Sequence, residues 1–354
     1  MVRWACDNAA VPDLAATVPS PTTDDDGTPL AEHQIAQWRT HGAVVVDGLV
    51  PIDLVLRTRS AALDVLRPPV GDEIGDFGSA GAFVFPSEVE SFNEATLHSR
   101  LLAAVAQLLG CTVREIRLTQ SDLWAKHGRS TPLDDAFDND DQRMHVDYPN
   151  HTLTHPPRWE TPDAVEVIVY ADDVTVTGGA TSVVLRSGPD DPAYAWPIVA
   201  TPGVGALEWV NSKGHAEAYL AEVAPEVAAW RAEHLYAREQ SVEARCGSVL
   251  LYRHDTWHRG TPVRPGHTRV AHNLTFRRAG AEWVSTLHEG WAWAMYRRSR
   301  VMERLVATST VDQRCVLGFP APGHPWWTPD TVDAVEARYA PLGFDASEYR
   351  AALS

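Results

Sequence analysis

Cysteine is scarce in this chain. Its four residues, Cys6, Cys111, Cys246 and Cys315, lie far apart and form no C-x-x-C pair, which excludes a paired-cysteine zinc clamp and the dense disulfide framework of a small secreted fold. No run of about 18 apolar residues occurs, and the opening MVRWACDNAAVPDL has no continuous apolar segment. Neither secretion nor a membrane span is therefore expected, and the expected location is cytoplasmic. Basic residues are the minority, 30 Lys and Arg against 47 Asp and Glu, for a formal charge of −17. Such a chain repels phosphate backbones and anionic lipid, so neither nucleic acid nor a membrane surface is an expected partner.

What is present is ample for a core. The chain has 354 residues, 44% of them apolar, enough for one large domain or two smaller ones. Residues 1–27, rich in Pro, Ala, Thr and Asp, show neither apolar period and are expected to be a mobile tail. Thr28-Pro29 is expected to cap a helix carrying Leu30, Ile35 and Trp38, which Gly42 ends before a short strand, Ala43 to Val46. Further helices are expected over 51–66 and from about Asn93 to Leu109, the last stopped by Gly110 in a left-handed cap.

After Glu115 the period changes. The runs IRLTQSDLWAK, AVEVIVYADDV, ATSVVLR, GSVLLYR and TRVAHNLTFRR are β-branched and aromatic, and Gly, Pro and Asp clusters separate them. Strands that follow one another without helices point to a sandwich or barrel. Residues 214–235 break the pattern with helical spacing and read as an insertion or covering helix, and helix-like spacing with many Trp returns from Glu282. No linker divides residues 28–354, so one domain is expected there.

Fifteen histidines make a metal site worth seeking. The pattern H-x-[DE] occurs twice. His215 and Glu217 fall in the helical stretch, where residues two apart point about 200° away from each other. His145 and Asp147 fall in RMHVDYP, a plausible strand, where i and i+2 share a face. A facial iron site needs a second imidazole, with the opposite side left open. His254 and His258 both offer it. A 2-oxoacid with a distal carboxylate also calls for a guanidinium, and Arg269 stands 11 residues after His258, whereas Pro265 stands 11 after His254. His258 is favoured. On the strand that follows, Arg269, Ala271, Asn273 and Thr275 share a face and would line a barrel interior.

These residues resemble the phytanoyl-CoA dioxygenase (PhyH) family of iron(II)- and 2-oxoglutarate-dependent oxygenases. The resemblance runs over about residues 30–290, from IAQWRTHGAVVVDGLV through LTQSDLWAK, His145-x-Asp147 and DDVTVTGGATSVV to His258 and Arg269. It implies a mainly β fold with flanking helices around a double-stranded β-helix, or jelly roll. It implies that His145, Asp147 and His258 bind Fe(II), that Arg269 holds 2-oxoglutarate, and that Gln120, Lys126 and Thr181 line the co-substrate pocket. Hydroxylation of a small-molecule substrate by dioxygen is the activity implied, in a monomer or homodimer. One departure is VVLRSG, where relatives commonly read Pro-Gly-Ser-His after the paired valines. Trp124, Tyr148 and Asn150 are expected near the substrate. The bland readings are that Arg264 rivals Arg269, that His254 supports structure, that Trp257 packs outside the barrel, and that Trp291, Trp293 and Tyr296 form a docking helix or a lid. A non-catalytic or zinc-binding jelly-roll protein is the alternative of another class.

Overall fold

In the computed structural model the described residues are 28–68, 82–129, 141–147, 159–195, 212–281 and 301–353, less a few positions between 326 and 338. The expected tail 1–27, Tyr148, Asn150 and the cluster Trp291, Trp293 and Tyr296 lie outside them.

Helix α1 (Glu32–His41) ends on Gly42 at φ 97°, as its sequence predicts. It starts three residues later than Thr28-Pro29 would place it. The cap is Ala31, whose N–H is held by the Gln34 side chain at 2.9 Å. Strand β1 (Ala43–Asp47) and helix α2 (Ile52–Val65) follow, then the short strand β2 (Ala82–Val84). The helix expected to run unbroken to Leu109 is two, α3 (Glu90–Thr96) and α4 (Ser99–Leu109). The break at Leu97-His98 lets the His98 Nδ1 reach the Leu49 carbonyl at 3.0 Å. Gly110 closes α4 at φ 62°.

Beyond Glu115 the five β-branched runs form strands β3 (Ile116–His127), β4 (Ala164–Tyr170), β5 (Thr181–Val183), β7 (Ser248–Tyr252) and β9 (Thr268–Arg278), and two short strands outside those runs join them, β6 (Gln240–Ser241) and β8 (His258–Gly260). A turn of helix, α5 (Val174–Thr177), precedes β5. All pairings are antiparallel, in a six-stranded sheet ordered β1-β7-β4-β9-β3-β2 and a three-stranded sheet ordered β6-β5-β8. The segment 141–147 extends the smaller sheet through a bridge between His145 and His258 rather than as a full strand.

Alternation along the strands sorts side chains onto two faces. On the larger sheet Val44, Val167, Leu251, Val270 and Leu274 face outward, into a core completed by α1 to α4 with Trp38, Phe92 and Leu108. The opposite face meets the smaller sheet through Val45, Ile168, Tyr170, Val183, Leu250 and Ala271. Two antiparallel sheets packed through one interior, with helices covering the outer face of the larger, make a jelly roll. Each fully buried Leu or Phe contributes about 2 kcal/mol to holding these layers together.

The insertion is α6 (Lys213–Val223) and α7 (Pro225–Arg231), divided at Pro225, with a π-helical turn at Ala232–Tyr236. Toward the C-terminal end lie the short helices α8 (Val301–Thr308), α9 (Val311–Val316) and α10 (Ser347–Ala351). They surround an aromatic cluster containing Trp327, Tyr339, Phe344 and Tyr349.

Candidate metal centre

The extended segment before residue 148 and strand β8 exchange backbone bonds at one point. His145 N–H donates to the His258 carbonyl at 2.9 Å, and His258 N–H donates back at 2.8 Å. Asp147 N–H donates to the His254 carbonyl at 3.0 Å. This pairing sets His145, Asp147 and His258 on one face, with a potential ligand atom from each within 4.8 Å of the others. The Asp147 carboxylate lies 3.9 Å from His145 Nε2 and 3.3 Å from His258 Nε2.

Both rings are oriented alike. His145 Nδ1 is 2.9 Å from the Arg143 carbonyl and His258 Nδ1 is 3.0 Å from the Thr256 carbonyl. A carbonyl only accepts, so each Nδ1 carries a proton and each Nε2 faces Asp147. Burial, aided by the neighbouring His258, pushes the His145 pKa down to about 3, which keeps that imidazole neutral at physiological pH. Tyr252 donates its hydroxyl to the second oxygen of Asp147 at 3.1 Å. Burial raises the Tyr252 pKa further, with Asp147 and Glu166 adding to it, so the phenol keeps its proton.

The segment carrying His145 and Asp147 is clamped from the insertion. Tyr236 accepts the Met144 N–H at 3.0 Å, and Arg231, fully buried, donates to the Met144 carbonyl at 3.0 Å. Glu217 receives both clamping side chains, Arg231 at 2.7 Å and Tyr236 at 2.6 Å. His215 instead meets Ser212, so the two members of that H-x-E pair diverge as the helical spacing requires.

The inner face of the larger sheet changes character along its length. At one end Lys126 and Arg269 are direct partners across β3 and β9. Like charges placed so are destabilising unless an anion joins them. Lys126 Nζ donates to the Thr261 carbonyl at 2.9 Å. Arg269 Nε is buried without a hydrogen-bond partner among the described residues. Gly179, at φ +71°, leaves room for it: a Cβ there would sit 3.4 Å from that Nε and 2.5 Å from Val263 Cγ2. Tyr170 donates to Thr181 Oγ1 at 2.7 Å beside this end. At the other end Gln120, Thr275, Glu166 and Tyr252 follow one another across four strands in register. Gln120 donates to Asp122, and Thr275 donates to Glu166. Burial, with Asp147 nearby, raises the Glu166 pKa well above the carboxylate range. Trp124 lies on the same face between the two ends.

The remaining residues singled out from sequence fall elsewhere. Arg264 is exposed and donates to the Val176 carbonyl. His254 is buried and acts on the site through its backbone. Trp257, fully buried, packs with Met144, Val184 and Tyr194 and donates its indole N–H to Ala193. In VVLRSG the Arg186 guanidinium turns onto the Trp159 ring, 4.6 Å from its centroid. Tyr252 and Glu166 were missed by sequence reasoning, although parity along GSVLLYR and AVEVIVY places both on the inner face. The Glu217–Arg231–Tyr236 clamp left no such signal, since it joins segments about 90 residues apart.

Comparison with known proteins adds an independent line. The family model described as phytanoyl-CoA dioxygenase (PhyH) matches residues 38–271. Among solved structures the chain is similar to the non-heme alpha ketoglutarate dependent carbocyclase SnoK from nogalamycin biosynthesis, at 18% identity, covering 77% of this chain and 93% of that one with a TM-score of 0.49. It is similar to EctD from S. alaskensis, solved with 2-oxoglutarate and 5-hydroxyectoine, at 16% identity, 81% and 89% coverage and a TM-score of 0.48. EvdO2 from Micromonospora carbonacea var. aurantiaca, complexed with 2-oxoglutarate, gives 14% identity, 72% and 93% coverage and a TM-score of 0.46. No sequence among curated proteins matches.

Proposed function

Because the chain belongs to the phytanoyl-CoA dioxygenase (PhyH) family, we propose that it is an iron(II)- and 2-oxoglutarate-dependent oxygenase that hydroxylates an unactivated C–H bond of a small molecule. The observation that carries this reading is the pairing of two features in one interior. They are the His145, Asp147 and His258 cluster, and a cationic end holding Lys126 and Arg269.

The residues present fit the two cofactors. Two imidazoles and one carboxylate on one side of a point are the ligand set of a facial iron(II) site, and His145, Asp147 and His258 would hold it. The buried, unpartnered Nε of Arg269 fits the distal carboxylate of a 2-oxo diacid, because a guanidinium forks onto a carboxylate. Lys126, Thr181 and Gln120 are assigned to the walls of the same pocket. When bound, iron and 2-oxoglutarate supply the oxidation, in which dioxygen is consumed and succinate, carbon dioxide and hydroxylated product are formed.

The chain's own contribution is orientation. The Arg143 and Thr256 carbonyls fix both imidazoles with Nε2 inward, Tyr252 holds the free side of Asp147, and the Tyr236 and Arg231 clamp holds the peptide before His145. Arg269 orients the diacid from the cationic end. The apolar walls Ile168, Leu250 and Ala271 limit water between the two. Trp124, Tyr148 and Asn150 are assigned to the substrate side.

Anaerobic titration of the metal-free protein with Fe(II) and 2-oxoglutarate tests the reading. A visible iron-to-2-oxoacid charge-transfer band is expected in the wild type, and it is expected to be lost in Asp147→Ala and weakened in Arg269→Ala. Absence of the band in wild-type protein that binds the metal would replace the oxygenase with a zinc-binding or non-catalytic jelly-roll protein.

A further inference from the structure

A second cavity, of about 520 Å³, lies among the ends of α1, α4 and β9 and the loop at Trp159. Its size is that of a small-molecule site. Four arginines line it, Arg39, Arg186, Arg253 and Arg278, against two carboxylates, Glu160 and Asp163. In a chain of charge −17 this is a local reversal of sign. Arg253 is matched by Asp255 at 2.9 Å. Arg39, Arg186 and Arg278 have no salt-bridge partner within 4 Å among the described residues.

Two of these guanidiniums are fixed in place by neutral acceptors. Arg186 donates its Nε to Gly188 and one Nη2 proton to Pro189, both at 2.8 Å. Arg278 donates its Nε to Pro162 at 3.3 Å and its Nη2 to Leu109. Carbonyls hold one edge of each group, Nε with Nη2, and neither Nη1 has a hydrogen-bond partner among the described residues. Trp159 stiffens the arrangement, with Arg186 4.6 Å and Arg253 3.7 Å from its ring centroid. A guanidinium held flat, with spare donors and no carboxylate within salt-bridge distance, is preorganised for a bidentate oxyanion. Capping of the last turn of α4 accounts for Arg278 alone. It leaves Arg39 and Arg186 unexplained.

We propose that this cavity is a binding site for a small molecule carrying an oxyanion group, phosphate or carboxylate, held by Arg39, Arg186 and Arg278 and lying outside the metal centre. The proposal is independent of the oxygenase reading, since none of these side chains belongs to the metal centre or the cationic end of the barrel.

Calorimetric titration of the full-length protein at low ionic strength with inorganic pyrophosphate, and separately with citrate, tests it. Saturable binding is expected, with the tighter of the two probes identifying phosphate or carboxylate as the preferred group. Arg39→Glu should weaken that binding about tenfold, and Glu160→Gln should tighten it about threefold, because charges at the rim of a site act through the local field. Both positions are exposed, and circular dichroism would verify that each variant keeps its fold. Opposite shifts in the two variants support the site and exclude loss of folding as their cause. No saturable binding of either probe, or binding indifferent to both substitutions, overturns it. Neither result bears on the charge-transfer band, so this proposal and the oxygenase reading fail separately.

Discussion

Tyr252 shows how one hydroxyl can support a candidate metal ligand. Its proton goes to the Asp147 oxygen that lies 3.3 Å from His258 Nε2, which fixes the carboxylate plane and leaves the other oxygen toward His145. Partners of this kind are worth roughly 10- to 100-fold in metal affinity. Tyr252→Phe keeps the ring against His258, at 4.7 Å between centroids, and deletes only the donor. Its metal dissociation constant should rise by about tenfold, measured by competition with a chelator, while its thermal transition stays close to wild type. An unchanged dissociation constant would remove Tyr252 from the support of the site. At this scale the sequence was legible where parity and spacing act: His145 with Asp147, and the inward set of β9. It was illegible where a partner depends on long-range register, as for Tyr252 with Asp147 and Met144 with Arg231.

At the scale of elements, strand β9 separates two environments. Its inner residues Arg269, Asn273 and Thr275 are polar, and its outer residues Val270, Leu274 and Phe276 are apolar, with His272 among the outer set. His272 is buried against Phe92, 4.6 Å between ring centroids, and its Nε2 is 2.8 Å from Ser121 Oγ. Burial pushes its pKa down to about 3. A pKa below the unfolded value of roughly 6.5 means that the unfolded chain takes up the proton first. The contribution of neutral His272 is therefore present above pH about 6.5 and lost as pH falls from there toward 3, by up to roughly 5 kcal/mol. Replacing His272 with Gln, which cannot take up that proton, should flatten the pH dependence of unfolding in denaturant over this window. A slope identical to wild type would place the acid sensitivity elsewhere. The strands themselves could be read from β-branched runs and Gly or Pro punctuation, because both faces of the sheet are covered. The break between α3 and α4 could not, since no Pro or Gly marks it and a contact from His98 to the distant Leu49 backbone lies at the break.

At the scale of the whole molecule, the matched family segment stops at residue 271, yet the helices beyond it are tied into the main core. In α9, Val316 belongs to the cluster beneath the larger sheet, while its neighbour Cys315 belongs to the aromatic cluster with Trp327 and Tyr349. Gln313 donates to the Leu97 carbonyl at 3.0 Å, and Arg114 pairs with Asp312 at 2.9 Å. One helix contributing to two clusters couples them, so residues 28–354 should unfold as one cooperative unit. Differential scanning calorimetry should then give a single transition whose calorimetric and van't Hoff enthalpies agree. Val316→Ala, which removes buried methyl groups from the main core, should cost roughly 1–3 kcal/mol and move that entire transition downward. Two separate transitions, with only the earlier one moved by Val316→Ala, would make the C-terminal helices an autonomous unit resting on the jelly roll. A single transition that shifts as a whole makes them part of the scaffold from which the segment carrying His145 and Asp147 is hung.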